Sequence, residues 1–137
     1  MKISPYISFN GNCSEAIALY EKAFNAKAEV LRFKDAPPED DYQAYRASEG
    51  TESFIFNAAL EINGAVISLS DTPLQDSVKV GNHITIALEF DDTVAAKAAF
   101  EVLKEGGKVE TELEETFWSK CFGSLTDKFG IHWYING

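Results

Sequence analysis

The amino-acid sequence predicts an α+β fold in which one βαβββ unit occurs twice. Two amphipathic helical segments carry matching residues at a constant offset, with Tyr20-Glu21 in the first corresponding to Phe100-Glu101 in the second. Each helix follows a strand of alternating apolar and polar residues and precedes three further strand-like stretches. The dipeptide Asn63-Gly64 between two alternating runs is the strongest short-range signal for a β-hairpin. The sequence therefore indicates a duplicated module.

The first module contains one helix and four strands. The predicted helix runs from about Ser14 to Asn25, with Asn12 as its N-cap. Ile17, Tyr20 and Phe24 form the apolar stripe that such a helix buries. The predicted strands are Tyr6 to Asn10, Ala28 to Phe33, Ser53 to Ile62 and Ala65 to Ser70.

The second module repeats this order. Its helix is predicted over Thr93 to Glu105, capped by Asp92 and stopped by Gly106-Gly107. The predicted strands are Ile84 to Phe90, Lys108 to Leu113, Phe117 to Leu125 and Phe129 to Ile135, the last two separated by a break at Thr126 to Lys128. The final pair is dense in aromatic residues, which predicts either a pocket wall or a surface that another chain covers.

Length and charge limit the possible functions. The 137 residues predict one domain, 1–137, built from modules at about 1–70 and 83–137. The formal net charge of −10 and the scattered basic residues argue against nucleic-acid binding and against anionic membrane surfaces. No apolar run approaches the ~20 residues of a membrane-spanning helix, and no apolar signal region opens the chain. These observations predict a cytoplasmic protein with Cys13 and Cys121 as free thiols.

Several short motifs resemble those of the vicinal oxygen chelate superfamily. The motifs are Ile7-Ser8-Phe9-Asn10-Gly11-Asn12-Cys13 leading into Glu15-Ala16 and Tyr20, then Ser70-Asp71, Gly106-Gly107-Lys108-Val109, Phe117-Trp118 and Thr126-Asp127-Lys128-Phe129-Gly130-Ile131. The superfamily includes glyoxalase I, ring-cleaving dioxygenases and fosfomycin resistance proteins. Within it the chain is most similar to the PhnB-like branch, also known as 3-demethylubiquinone-9 3-methyltransferase-like. This resemblance implies a U-shaped half-barrel with helices outside and a cavity inside, and a homodimer.

The resemblance also implies where a divalent metal would bind. Catalytic relatives hold the metal with His, Glu or Gln, and the four ligand positions become Tyr6, Ser68, Thr85 and Tyr134 in this chain. Zn²⁺, Ni²⁺ and Fe²⁺ prefer imidazole, carboxylate or thiolate ligands. PhnB-like sequences often carry a further His where Asn57 stands here. We therefore expect no metal cofactor.

Aromatic, hydroxyl and amide side chains predicted to share the cavity face are typical of a small-molecule site. The candidate ligand-binding residues are Tyr6, Ser8, Asn57, Ser68, Thr85, Trp118, His132 and Tyr134, with Phe56 and Trp133 as further aromatic walls. An interface role for Phe117 and Trp118 stays equally open, and His132 is either a general acid/base or a histidine satisfied by its neighbours. Cys13, in a first helical turn, is placed for a thiolate, whereas Cys121 is predicted to be a buried structural thiol.

Three functions remain open at this point. The first is a dimeric small-molecule-binding protein without the usual metal. The second is a lyase, isomerase or transferase that acts on a small oxygenated substrate, with an unusual metal set or none. The third is an interaction protein with a vestigial cavity. The acidic, proline-broken stretch from Asp35 to Gly50 is either a lid or a solvated crossover.

Overall fold

The computed structural model describes residues 1–36, 50–72 and 78–137, and the predicted lid falls mainly on residues outside these ranges. The elements are β1 (Tyr6–Phe9), α1 (Cys13–Phe24), β2 (Ala28–Arg32), a short 3-10 helix (Phe33–Asp35), β3 (Ile55–Ile62), β4 (Ala65–Asp71), β5 (Thr85–Glu89), α2 (Thr93–Leu103), β6 (Lys108–Glu114), β7 (Phe122–Thr126) and β8 (His132–Asn136). This order confirms the predicted α+β class and the βαβββ repeat. Neither helix in the described ranges has the length and apolarity needed to cross a membrane.

The first compact unit comprises Met1–Glu21 and Ala26–Lys79 and contains a sheet of order β1-β4-β3-β2. Strand β1 pairs in parallel with β4, and β3 pairs antiparallel with both β4 and β2. Asn63 and Gly64 join β3 to β4 with φ angles of 49° and 84°. A type I′ turn needs positive φ at both central residues, so the predicted Asn-Gly hairpin is confirmed.

The buried carboxylate of Asp71 connects three backbone segments of the first unit. Its Oδ1 accepts the N–H groups of Gly11 and Cys13 at 2.8 and 3.0 Å, and its Oδ2 accepts the N–H of Ile55 at 3.0 Å. The carbonyl of Asn12, the residue before α1, accepts the Ala16 N–H at 3.2 Å. Asp71, at the end of β4, therefore accepts hydrogen bonds from N–H groups at the start of α1 that have no partner within the helix.

The second compact unit comprises Lys22–Asn25 and Val80–Gly137 and contains a sheet of order β5-β8-β7-β6. Asp92 caps α2 as predicted, because its Oδ1 accepts the Val94 N–H at 2.8 Å. One face of the sheet packs on α2. A Cβ at Gly123 would lie 2.8 Å from Leu113 Cδ2 and 2.9 Å from Phe100 Cε2, so only glycine allows this close approach.

The aromatic tail is shorter in strand content than its composition predicts. Residues 117–121 precede β7 and lie in a turn, because Thr116 N–H donates to the Ser119 carbonyl at 2.9 Å and Ser119 N–H donates to Thr116 Oγ1 at 3.1 Å. The predicted strand from Phe117 is therefore wrong up to Phe122. Short hydroxyl side chains offer the backbone local partners that compete with a sheet ladder.

The last strand also starts later than predicted. Asp127 Oδ1 accepts the N–H groups of Phe129 and Ile131 at 2.9 and 3.0 Å, and its Oδ2 accepts the Trp133 indole N–H at 2.9 Å. These bonds hold residues 129–131 in the turn, and β8 begins at His132. Trp133 and Ile135 are fully buried beside Phe100 and Leu125 in the core of this unit.

Candidate functional site

Each sheet has one face buried in its own unit and one face that we call the open face. On the first sheet, Tyr6 pairs with Ser68 and Ser68 pairs with Ala59, across β1, β4 and β3. Residues two apart on a strand share a face, so Ser8 lies on the same face as Tyr6, and Asn57 on the same face as Ala59. The open face of the first sheet thus carries four predicted site residues: Tyr6, Ser8, Asn57 and Ser68.

Tyr6 is held on this open face by one hydrogen bond. Its hydroxyl donates to Ser70 Oγ at 3.0 Å, while its ring remains exposed. Ser8 pairs with Ser70, and Leu31 of β2 pairs with Asn57. The face therefore carries hydroxyls, an amide and the side chain of Leu31, with one aromatic ring on its β1 edge. The neighbouring Phe56 packs edge-on against the buried Phe33 at a centroid distance of 5.3 Å.

The open face of the second sheet is arranged in three rows across the strands. The rows are Thr85–His132–Thr126–Lys108, Ala87–Tyr134–Ser124–Thr111 and Glu89–Asn136–Phe122–Glu114. The predicted residues Thr85 and His132 are direct partners, and Tyr134 lies one row further along β8. Trp133 lies on the opposite, buried face, so its prediction as a pocket wall is wrong.

Four rings form an aromatic cluster at one end of this open face: Phe117, Trp118, Phe122 and Tyr134. Successive ring centroids lie 4.7, 5.3 and 5.7 Å apart, with interplanar angles of 82°, 65° and 64°. Phe117 is 98% exposed, Trp118 57% and Tyr134 45%. Phe122 contacts both Trp118 and Tyr134 and so connects the two rings. The sequence analysis did not include Phe122 in the site, although it lies two positions before Ser124 on the same strand face.

Both ring nitrogens of His132 have partners within the second unit. Nδ1 lies 2.6 Å from Thr126 Oγ1, and Nε2 lies 3.2 Å from the Gly81 carbonyl oxygen. Thr126 Oγ1 also donates to Glu110 Oε1 at 2.7 Å. These contacts match the alternative of a histidine satisfied by its neighbours and leave neither nitrogen directed at a ligand.

Thr126 links the carboxylate of Glu110 to the imidazole ring of His132. Its single hydroxyl hydrogen serves one partner at a time, and the donor and acceptor roles of the two ring nitrogens follow the tautomer of His132.

The position of Cys13 in the first helical turn favours a thiolate, but its surroundings oppose one. Burial raises the pKa of the Cys13 thiol, the Asp71 carboxylate raises it further, and Arg32 offsets only part of this effect. A buried neutral thiol is inert as a nucleophile. Cys121 is buried as well, as predicted for a structural thiol.

The residues at the implied metal positions do not fit a divalent metal. Tyr6, Ser68, Thr85 and Tyr134 offer only phenol and alcohol oxygens, which are weak ligands beside imidazole, carboxylate and thiolate. Within residues 1–36, 50–72 and 78–137, no three His, Cys, Asp or Glu side chains are grouped in a way that would hold a metal ion. Residue chemistry on both open faces instead favours hydrogen bonding and aromatic contact.

Comparison with known proteins gives a consistent result. The model of the Glyoxalase/Bleomycin resistance protein/Dioxygenase superfamily matches residues 2–135. Protein YjdN of Escherichia coli is 34% identical over 99% of this chain and 95% of its own length. The crystal structure of PA1353 from Pseudomonas aeruginosa superposes with a TM-score of 0.78 at 32% identity, over 99% of this chain and 96% of that one. A PhnB protein from Bacillus cereus, titled a putative 3-demethylubiquinone-9 3-methyltransferase, shares the fold with a TM-score of 0.74 at 21% identity, over 99% and 98% of the two chains.

Proposed function

The chain belongs to the Glyoxalase/Bleomycin resistance protein/Dioxygenase superfamily, and on this premise we propose that it is a small-molecule-binding protein that works without a metal. The observation that carries the proposal is the exposure of Trp118 and Tyr134 on an open sheet face. Large aromatic side chains left in water cost free energy that a ligand recovers on binding.

Each open face also carries polar side chains that would orient a ligand. Thr85 lies in the second sheet, one row from Tyr134, and Ser8, Asn57 and Ser68 lie together on the open face of the first sheet. A few hydroxyls and an amide among aromatic walls are typical of sites for small oxygenated molecules. The proposed ligand-binding residues are Tyr6, Ser8, Asn57, Ser68, Thr85, Trp118 and Tyr134. His132, which the sequence also predicts for this site, would position Thr126 rather than touch the ligand.

We also propose a cytoplasmic homodimer with Phe117 in its interface. The ring is almost fully exposed, yet the turn that carries it is fixed by hydrogen bonds, since Ser119 Oγ donates to the Cys121 carbonyl at 2.9 Å. A rigid exposed ring is a suitable anchor because little conformational entropy is lost on binding. Two buried free thiols suit a reducing compartment.

A thermal-shift screen of small aromatic and oxygenated metabolites tests the binding proposal. A ligand at 100 times its Kd adds about 2.7 kcal/mol of stability, a rise in Tm of several degrees. Tyr134→Ala should remove this rise, whereas Val94→Ala, an exposed substitution on α2, should leave it unchanged. A rise that survives both Tyr134→Ala and Trp118→Ala would contradict the proposed site.

Light scattering tests the homodimer. The wild-type chain should have twice the monomer mass, and Phe117→Ser should shift the equilibrium toward the monomer, because burying a phenylalanine contributes about 1.5–3 kcal/mol per ring. A wild-type monomer at high micromolar concentration, or an unchanged dimer in Phe117→Ser, would argue against this interface.

A further inference from the structure

We propose that the open face of the second sheet binds an organic cation, meaning a ligand with a positively charged nitrogen on a flat apolar body. This inference rests on the proposed binding function and specifies its ligand class. Three features of the face support it: the tilt of the rings, the position of two glutamates and the distance of Lys108, the lysine in the rows of the sheet, from Phe122.

The ring geometry suits a cation. Trp118 and Tyr134 both meet Phe122 at steep angles, 65° and 64°, instead of stacking flat. Phe122 is therefore tilted against two partly exposed rings, and the face of each of these rings carries the negative part of its quadrupole. A cation within about 6 Å of a tryptophan or tyrosine ring face is attracted by that quadrupole.

Two carboxylates lie at the ends of the row that contains Phe122. Glu89, Asn136, Phe122 and Glu114 are successive partners across β5, β8, β7 and β6, and both glutamates are exposed. With strands about 4.8 Å apart, the two glutamate backbones are about 14 Å apart with Phe122 between them. Among the described ion pairs neither glutamate takes part, so both charges remain available to a ligand.

Charge on the rest of the face disfavours the opposite class of ligand. The lysine in the three rows is Lys108, which pairs with Thr126, four residues or about 13 Å along β7 from Phe122. Lys120 stands outside the rows, exposed in the segment before β7. Glu89 and Glu114 would repel the negative charge of a carboxylate or phosphate ligand. They would also repel the same face of a second copy of this acidic chain. A small cation is the complementary occupant.

The test uses phenyltrimethylammonium as the probe, with benzoate and benzyl alcohol as the anionic and neutral probes of similar size. Trp133 is fully buried, so quenching of tryptophan fluorescence by these solutes reports on Trp118. We expect phenyltrimethylammonium to bind at least 10-fold more tightly than either other probe, and its affinity to fall as NaCl is added.

Variants connect the binding to this face. Glu89→Gln with Glu114→Gln should weaken phenyltrimethylammonium binding about 5-fold or more and leave benzyl alcohol unchanged. Glu101→Gln is the matched control, because Glu101 lies on α2, which packs on the other face of the sheet, and pairs there with Lys104 at 2.8 Å. Trp118→Ala should abolish binding of the cation.

The outcomes separate the two proposals. Benzoate or benzyl alcohol binding as tightly as the cation, with dependence on Tyr134, would overturn the cation inference and leave the binding function standing. Unchanged cation affinity in the double glutamine variant would also overturn it. No binding by any probe, together with no ligand in the thermal-shift screen, would overturn both.

Discussion

Asp127 should be one of the most stability-critical polar residues of the second unit. The side chain is 3% exposed and accepts three hydrogen bonds, from two backbone N–H groups and from the Trp133 indole. Asp127→Asn keeps one oxygen for the backbone donors but places an amide N–H₂ against another N–H. Hydrogen bonds to a charged acceptor contribute about 1.5–3 kcal/mol each, and a buried unsatisfied donor costs about 1–3 kcal/mol. We expect Asp127→Asn to lower the free energy of unfolding by about 3–5 kcal/mol.

The assay is urea unfolding followed by circular dichroism, with Asp92→Ala as the matched control. Asp92 also accepts a backbone N–H at 2.8 Å, but at an exposed helix N-terminus. Its loss should cost about 1 kcal/mol. Equal costs for the two substitutions, or a cost below about 1.5 kcal/mol for Asp127→Asn, would refute the reasoning that burial of a charged acceptor sets the magnitude.

A double-mutant cycle isolates the indole contact. Trp133→Phe removes the N–H donor and leaves a ring in the core beside Phe24, whose centroid lies 5.6 Å from that of Trp133. In the double variant the amide of Asn no longer opposes an indole N–H. The combined cost should therefore be smaller than the sum of the single costs by about 1–2 kcal/mol. Strict additivity would show that the Asp127–Trp133 bond contributes nothing.

Three further predictions concern single positions. The pKa of the Cys13 thiol is raised in the folded chain, so the free energy of unfolding should fall as pH rises above about 9, where only the unfolded thiol ionises. Thiol reagents should modify Cys13 only as fast as the chain unfolds, and faster modification would contradict this. Gly123→Ala should cost about 1–3 kcal/mol in urea unfolding through overpacking, while Gly81→Ala, whose Cβ would meet its nearest neighbour at 3.5 Å, should cost far less. Thr126→Val removes the bridge between Glu110 and His132 and should change the ¹⁵N shift of Nδ1 more than that of Nε2. A change confined to Nε2 would contradict the contact between Thr126 and Nδ1.

Local signals in the sequence predicted most of the fold. The Asn63-Gly64 hairpin, the Asp92 cap and the alternation that puts Tyr134 and Trp133 on opposite faces all depend on neighbours within a few residues. The start of β7 was missed because Phe117 and Trp118 have high strand propensity, whereas the turn depends on hydrogen bonds from Thr116 and Ser119. The aromatic composition predicted a strand, but hydrogen bonds between Thr116 and Ser119 hold this segment in a turn.

Long-range contacts account for what the sequence left open. The sequence places Cys13 at a helix N-terminus, which favours an anion by about 0.3–1 kcal/mol. Burial opposes this with a larger effect, and the Asp71 carboxylate that raises the pKa further lies 58 residues away in the chain. Periodicity reveals neither the depth of a residue nor the identity of a distant partner.

The two units share a fold but differ in the contacts of their buried aspartates, Asp71 and Asp127. Asp71 ends β4 and fixes the start of α1, whereas Asp127 follows β7 and fixes the turn that leads to Trp133. Each unit therefore uses a buried aspartate to hold a different backbone segment. The open faces differ in the same way, with hydroxyls around Tyr6 on the first sheet, and tilted rings between Glu89 and Glu114 on the second. If the second face selects the charge of a ligand, substitutions at Tyr6 and Ser8 should alter affinity for a cation and for a neutral ring by the same factor, and only substitutions on the second face should change their ratio.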